Sequence, residues 1–234
     1  MAQNCLLYYI TSLAGFPGDE RARRFRLLDK IEEAAVCGVD CIQLREKNLP
    51  ARELESLARE AVSAISRVRV EKGRAGTVLL INSRTDVALA AAAAGVHLPA
   101  GDVSPADVRK AWKYAAEKCD RGTLRSQWAA SNPIEPLIAV SCHSPQAVNE
   151  AAANQAKFAV FAPVFEKKDA PGTRLAGLDA LHQACRASIP VFALGGVTLR
   201  NAESCLRAGA SGIAAIRLFQ ENDIAPVVRD LRGD

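Results

Sequence analysis

Eight short apolar segments recur along the whole chain, each separated from the next by a stretch of helical spacing, and this alternation constrains the fold more than any other feature. The strand candidates are Leu6–Thr11, Val39–Leu44, Thr77–Asn82, Gly95–Leu98, Leu137–Ser141, Phe158–Ala162, Pro190–Leu194 and Gly212–Ile216. Strands that alternate with helices pair in parallel, because each connection must cross back over the sheet. Eight such units favour closure into a barrel over an open, doubly wound sheet. The first strand is not followed by GxGxxG, which weakens the open alternative further.

The intervening segments Phe25–Cys37, Ala51–Glu71, Arg84–Ala94, Pro105–Ala115, Pro145–Ala156, Leu175–Ala187 and Leu199–Ala208 carry the periodicity of helices packed on a sheet. Ser104 before Pro105 and Ser144 before Pro145 are N-cap residues followed by proline at the first helical position. A length of 234 residues suits one (β/α)8 TIM barrel, so residues 1–234 are expected to form a single domain. The stretch Glu117–Pro136, near 117–136, reads as an unusually long helix-to-strand connection on the face opposite the chemistry. With 49% hydrophobic but only 5% aromatic residues, the core must be built mostly of Ala, Val, Leu and Ile.

Charge and hydropathy exclude several classes. The net charge is only +4, and Lys and Arg alternate with Asp and Glu through Gly18–Lys30 and Leu49–Lys72, as on solvated helix faces and unlike a nucleic-acid footprint. No apolar run is long enough to span a bilayer, and Met1–Thr11 lacks the basic start and long apolar stretch of a signal peptide, so a cytoplasmic location is expected. The 7 cysteines are scattered without close pairing, which predicts buried thiols in a reducing compartment.

Alternation along the second strand places Gln43, Arg45 and Lys47 on one line, with Ile42 and Leu44 on the other side. An amide and two cations on an inward line call for an anion such as phosphate or pyrophosphate. The competing reading makes Arg45 and Lys47 loop charges paired with Glu46 or Glu53. In Ala193-Leu-Gly-Gly-Val-Thr198 a strand ends in Gly195 and Gly196 just before a helix, where bare N–H groups can reach phosphate oxygens. Ile216 and Arg217 stand at the equivalent point after the eighth strand. Asn82 and Asp102 follow the third and fourth strands, where a carboxylate could hold Mg²⁺, although Asp102 could equally cap the helix near Pro105. Of the three histidines, His143 and His97 lie at strand ends within reach of the barrel mouth, and His143 is the stronger candidate for proton transfer. His182, inside a helix, reads as structural.

Taken in order, QLREK, LLINSRTDVAL, GVHLPAGD, VSCHS, FAPVFEKKD, PVFALGGVT and GASGIAAI resemble the thiamine phosphate synthase and thiazole tautomerase superfamily over nearly the whole chain. For the synthase branch the resemblance implies a transferase that joins hydroxymethylpyrimidine pyrophosphate to thiazole phosphate, releasing thiamine phosphate and pyrophosphate with the help of Mg²⁺. It implies pyrophosphate-side roles for Gln43, Arg45, Lys47 and Asn82, a metal role for Asp102, a thiazole-phosphate site at Gly195, Gly196 and Ile216, and a pocket role for His143. Arg45, Lys47 and His143 are thus the expected catalytic residues, and phosphorylated pyrimidine and thiazole molecules the expected partners, with a homo-oligomer left open.

The chain also departs from the synthase pattern. Ser83 stands where a second metal carboxylate is usual, Phe165–Thr173 replaces a threonine-rich loop so that Lys167 or Lys168 would have to serve as the phosphate contact, and Arg217 stands where serine is usual. At these points the chain is similar to the metal-independent tautomerases, in which His143 would move a proton on a thiazole carboxylate phosphate. Retention of Gln43, Arg45, Lys47 and Asp102 favours the synthase, since a tautomerase has no leaving pyrophosphate to stabilise. A non-catalytic protein that binds thiamine phosphate or thiazole phosphate is the remaining alternative.

Overall fold

In the computed structural model, which describes residues 5–72, 76–118, 135–166, 172 and 174–233, the chain forms a closed eight-stranded parallel barrel. The strands are β1 (Leu6–Ile10), β2 (Cys41–Leu44), β3 (Val78–Asn82), β4 (Gly95–Leu98), β5 (Leu137–Cys142), β6 (Phe158–Phe161), β7 (Val191–Ala193) and β8 (Gly212–Ala215). Each pairs with its sequence neighbour, and β8 closes on β1 with Leu7 opposite Ile213 and Tyr9 opposite Ala215. The helices are α1 (Glu20–Val36), α2 (Ala51–Lys72), α3 (Thr85–Ala90), α4 (Pro105–Lys118), α5 (Pro145–Ala153), α6 (Gly177–Ala184), α7 (Leu199–Arg207), α8 (Arg217–Gln220) and α9 (Ile224–Arg232).

Because successive strand residues face opposite ways, the apolar side chains divide into two cores. Tyr8, Ile10, Cys41, Leu80, Ala139, Phe158, Val160, Phe192 and Ala214 fill the barrel interior. Leu7, Tyr9, Ile42, Leu44, Leu79, Ile81, Val96 and Ile138 point outward and pack against the helices. Ile42 and Leu44 thus lie opposite Gln43, as the alternation requires.

Strand positions agree with the sequence reading to within a residue or two, whereas several helix ends do not. The first helix begins at Glu20, ahead of the expected Phe25, because the Asp19 side chain accepts from the Ala22 N–H at 2.8 Å and caps it. α3 stops at Ala90, short of the expected Ala94, as the chain turns through Ala92 at φ 56° to enter β4. The C-terminal α9 had no counterpart in the sequence reading. It buries Ile224, Val227, Val228 and Leu231, and its first N–H is accepted by Glu33 Oε1 of α1 at 2.7 Å. Arg232 then donates to Asp40 Oδ2 at 2.8 Å, the carboxylate oxygen that also accepts from the Leu7 N–H. The expected long connection near 117–136 lies largely outside the described residues.

Among the described residues six cysteines are free thiols, with Cys5, Cys41, Cys142 and Cys205 buried. Burial pushes Cys41 and Cys205 up to about 12 and Cys5 and Cys142 to about 11, which keeps them protonated and inert. Among the described residues no helix is long and apolar enough to cross a membrane.

Closure depends on close approach at Gly212, where an added methyl would meet the Leu6 carbonyl oxygen and, at 2.8 Å, the Phe192 ring. Gly212→Ala should therefore destabilise the barrel by about 1–3 kcal/mol through overpacking. A lowered midpoint in urea denaturation is the expected result; an unshifted one would show that the β1–β8 seam has slack.

Candidate active site at the barrel mouth

The cationic strand end is built by clamping rather than by regular strand. Gln43 is buried inside the barrel, but β2 ends at Leu44, so alternation carries the inward line only as far as Arg45, which is half-buried. Lys47 sits in a turn and is exposed, which corrects the expectation that strand pleating aligns it with Gln43. The buried Thr11 hydroxyl donates to Glu46 Oε1 at 2.5 Å and accepts from the Arg45 N–H at 3.1 Å, while Glu46 Oε2 accepts from the Leu13 N–H at 2.8 Å. Burial raises the Glu46 carboxyl above its ordinary range, partly offset by these hydrogen bonds. Glu46 is therefore committed to joining the ends of β1 and β2. Among the described residues neither Arg45 nor Lys47 forms a salt bridge with Glu46 or Glu53, although the Arg45 charge also acts to lower the Glu46 carboxyl.

Beneath Arg45 runs a chain of polar side chains across the barrel interior. Gln43 Nε2 donates to Tyr8 Oη at 3.1 Å, Tyr8 Oη lies 3.1 Å from His97 Nδ1, and His97 Nε2 lies 2.8 Å from Ser141 Oγ. Tyr8, Gln43 and His97 are buried, and Ser141 is half-buried at the mouth. Desolvation, and then the nearby Arg45 charge, press His97 down to about 3, so the imidazole is neutral at physiological pH. Burial likewise holds the Tyr8 phenol well above its ordinary value. His97, expected at the mouth, is instead a buried element of this chain. Tyr8 and Ser141 escaped sequence reading because LLYYI and LIAVSC look like plain apolar strands. The available signal was that Tyr8, Gln43, His97 and Ser141 all fall on inward positions.

At the end of β3, Asn82 continues the inward line of Leu80, and Ser83 adopts φ 63°, a conformation that Asn and Asp tolerate better than serine. The Ser83 hydroxyl donates to Asp102 Oδ2 at 2.5 Å, and Asp102 Oδ1 accepts from the Val103 N–H at 2.8 Å. Ser104, not Asp102, caps α4, its hydroxyl accepting from the Asp107 N–H at 3.2 Å. Ser83 and Asp102 are thus brought together, but with one carboxylate between them. Among the described residues no group of three His, Cys, Asp or Glu side chains is arranged to hold a metal. A carboxylate that accepts two hydrogen bonds keeps lone pairs free, which suits Mg²⁺ when waters and substrate phosphates supply the remaining oxygens.

His143, two residues beyond Ser141, is exposed, and its Nδ1 lies 2.7 Å from the Ala162 carbonyl oxygen. A carbonyl only accepts, so Nδ1 carries the proton and the Nε2 of a neutral ring is left as a base. Gly195 and Gly196 turn at φ 96° and 64° and press against the loop after β6. A methyl on Gly195 would meet Pro163 Cα at 2.8 Å, and one on Gly196 would meet the Phe165 carbonyl carbon at 2.8 Å. Among the described residues no backbone carbonyl accepts from either glycine N–H. Ile216 packs beside the interior core and Arg217 opens α8 next to it, so the loops after β7 and β8 stand side by side. Lys167 and Lys168 lie outside the described residues. His182 accepts its structural assignment, with Nδ1 3.1 Å from the Ala208 carbonyl.

The family model for thiamine monophosphate synthase matches residues 16–116 and 129–219. The chain is 36% identical over 204 residues to the thiamine-phosphate synthase of Methanoculleus marisnigri, covering 85% of this chain and 83% of that one. It is 31% identical over 232 residues to that of Chloroflexus aurantiacus, covering 97% and 91%. Among solved structures, the thiamine phosphate pyrophosphorylase of Pyrococcus furiosus superposes with a TM-score of 0.72 at 26% identity, over 99% of this chain and 96% of that one.

Neutral His97 makes the fold sensitive to acid. Above pH 6.5 both folded and unfolded chains carry a neutral ring and stability is complete. As pH falls from there toward the folded value of about 3, only the unfolded chain takes up the proton, removing about 1.4 kcal/mol per pH unit. Urea denaturation from pH 7 to 4 should show the wild type losing stability more steeply than His97→Asn by that slope; parallel curves would mean that the ring is not held neutral.

Proposed function

This chain belongs to the thiamine monophosphate synthase family, and we propose that it joins hydroxymethylpyrimidine pyrophosphate to thiazole phosphate. The bond from the pyrimidine methylene to the pyrophosphate oxygen breaks, the oxygen leaves with the electron pair, and the thiazole nitrogen forms the new bond to that methylene. The observation that carries this reading is the Arg45 guanidinium, held half-buried at the mouth with its neighbouring carboxylate turned away to Thr11 and Leu13. A cation in no salt bridge among the described residues, above a buried amide, suits an anionic leaving group, and preorganised charge of this kind acts most strongly where negative charge develops.

Gln43 and Asn82 would orient the pyrimidine pyrophosphate, and Arg45 and Lys47 would stabilise the departing pyrophosphate. Gly195 and Gly196, with Ile216 and Arg217, would hold the thiazole phosphate on backbone N–H groups; Lys167 and Lys168 are candidates for the same phosphate. Mg²⁺ bound by Asp102, with Ser83 beside it, would offset charge on the leaving group. The interior core would shield one side of the methylene cation that develops as the bond opens.

Two observations favour a second reading as a thiazole tautomerase. Only one carboxylate stands at the metal position, and His143 has its Nδ1 proton tied down, leaving Nε2 to move a proton. Assay of both reactions on the same preparation separates them. Formation of thiamine phosphate with Mg²⁺, reduced about 10²-fold or more in kcat by Arg45→Gln, is the expected outcome. Tautomerisation without coupling, abolished by His143→Asn, would establish the second reading, and product binding without turnover a non-catalytic role.

A further inference from the structure

We propose that Tyr8 and His97 are positioning residues that fix the direction of the Ser141 hydroxyl, so that its hydrogen is free for the anionic group of the substrate and is not drawn inward to the imidazole. The inference rests on the reading of the mouth as a pyrophosphate site. Its basis is that one direction of the hydrogen-bond chain beneath the mouth gives the buried Tyr8 hydroxyl hydrogen a partner and the reverse does not.

The Gln43 Nε2 group can only donate, so Tyr8 Oη is an acceptor at that end, and the hydrogen of this buried hydroxyl takes His97 Nδ1 as its acceptor rather than staying unpaired. A neutral imidazole has one proton; with Nδ1 accepting, that proton is on Nε2 and is donated to Ser141 Oγ. The serine oxygen then accepts from the ring, so its own hydrogen is not drawn to the ring and is left to point elsewhere. Ser141 is an inward position on β5, one alternation beyond Ala139, and it is half-buried at the mouth. With the oxygen accepting from the ring, its hydrogen is free to meet an anion that enters the mouth.

Reversal of the chain would have a definite cost. If Nδ1 carried the proton, Nε2 would draw the serine hydrogen inward and present the oxygen lone pair to a negatively charged ligand. Burial of Tyr8, Gln43 and His97 makes this arrangement durable, because no water competes for their polar atoms. The Tyr8 ring is itself immobilised, packed edge-on against Phe158 and Phe192 at centroid distances of 5.4 and 5.9 Å. Tyr8→Phe removes the hydroxyl and keeps that packing, so it is a conservative test.

The first readout is the ¹⁵N NMR spectrum of His97 in the intact protein, which should show a protonated Nε2 and an unprotonated Nδ1. The second is calorimetric titration with inorganic pyrophosphate. Ser141→Ala should weaken binding about tenfold or more, Tyr8→Phe should weaken it about tenfold, and the double variant should be no weaker than Ser141→Ala. A merely structural tyrosine would give additive losses. The Nδ1–H tautomer in the wild type, additive losses, or no binding of pyrophosphate by the wild type would each overturn the proposal. Absence of coupling activity alongside the expected tautomer and non-additive binding would refute the catalytic reading while supporting this one.

Discussion

The hydrogen-bonded seam between β1 and β8 turns eight local units into one object, and the chemistry of the mouth depends on it. While the sheet is open, alternate residues of each strand merely share a face. Once it closes, those residues share a single enclosed volume, and any polar atom among them must find its partner there. Tyr8 from β1, Gln43 from β2, His97 from β4 and Ser141 from β5 meet for this reason. They are far apart in the chain and have no reason to interact in any shorter piece of it. The seam also fixes the outer layer, since Arg232 of the last helix reaches Asp40 just ahead of β2 and Glu33 of the first helix receives the start of the last.

How much of this the sequence discloses depends on the range of the interactions involved. Strands were legible because burial on both faces demands short apolar runs, and their positions needed only local pattern. Helix ends were less legible where a single side chain decides them, as Asp19 does for α1, or where a backbone turn does, as at Ala92. α9 was missed because no strand follows to frame it. Within the site, Gln43 and Arg45 were legible from alternation, and Asp102 from its place after a strand. The exposed turn at Lys47 was not, because the strand stops sooner than its pattern continues. The Tyr8 hydroxyl was hidden by its ring, which satisfies any apolar pattern while carrying one polar atom.

Ser83 and Asp102 are the pair on which the two proposed chemistries differ. Their short hydrogen bond keeps the Asp102 carboxylate oriented and leaves it partly available. On the proposed reading this preserves room for a metal shared with the substrate, at the loss of the second carboxylate that would hold it more firmly. On the tautomerase reading the same pair holds no metal and keeps only its own hydrogen bond. Both readings use one scaffold, which is why the branch is decided by a few strand-end side chains and not by the barrel.

The rings of Tyr8, Phe158 and Phe192 pack together within the interior, Phe158 and Phe192 at 4.8 Å, and so give the pocket a solid base. A vessel closed below has one doorway. Nothing passes through the packed rings, so whatever reaches Gln43 and Ser141 enters from the C-terminal ends of the strands. The barrel is in this respect a cup and not a pipe, and three aromatic side chains make it so.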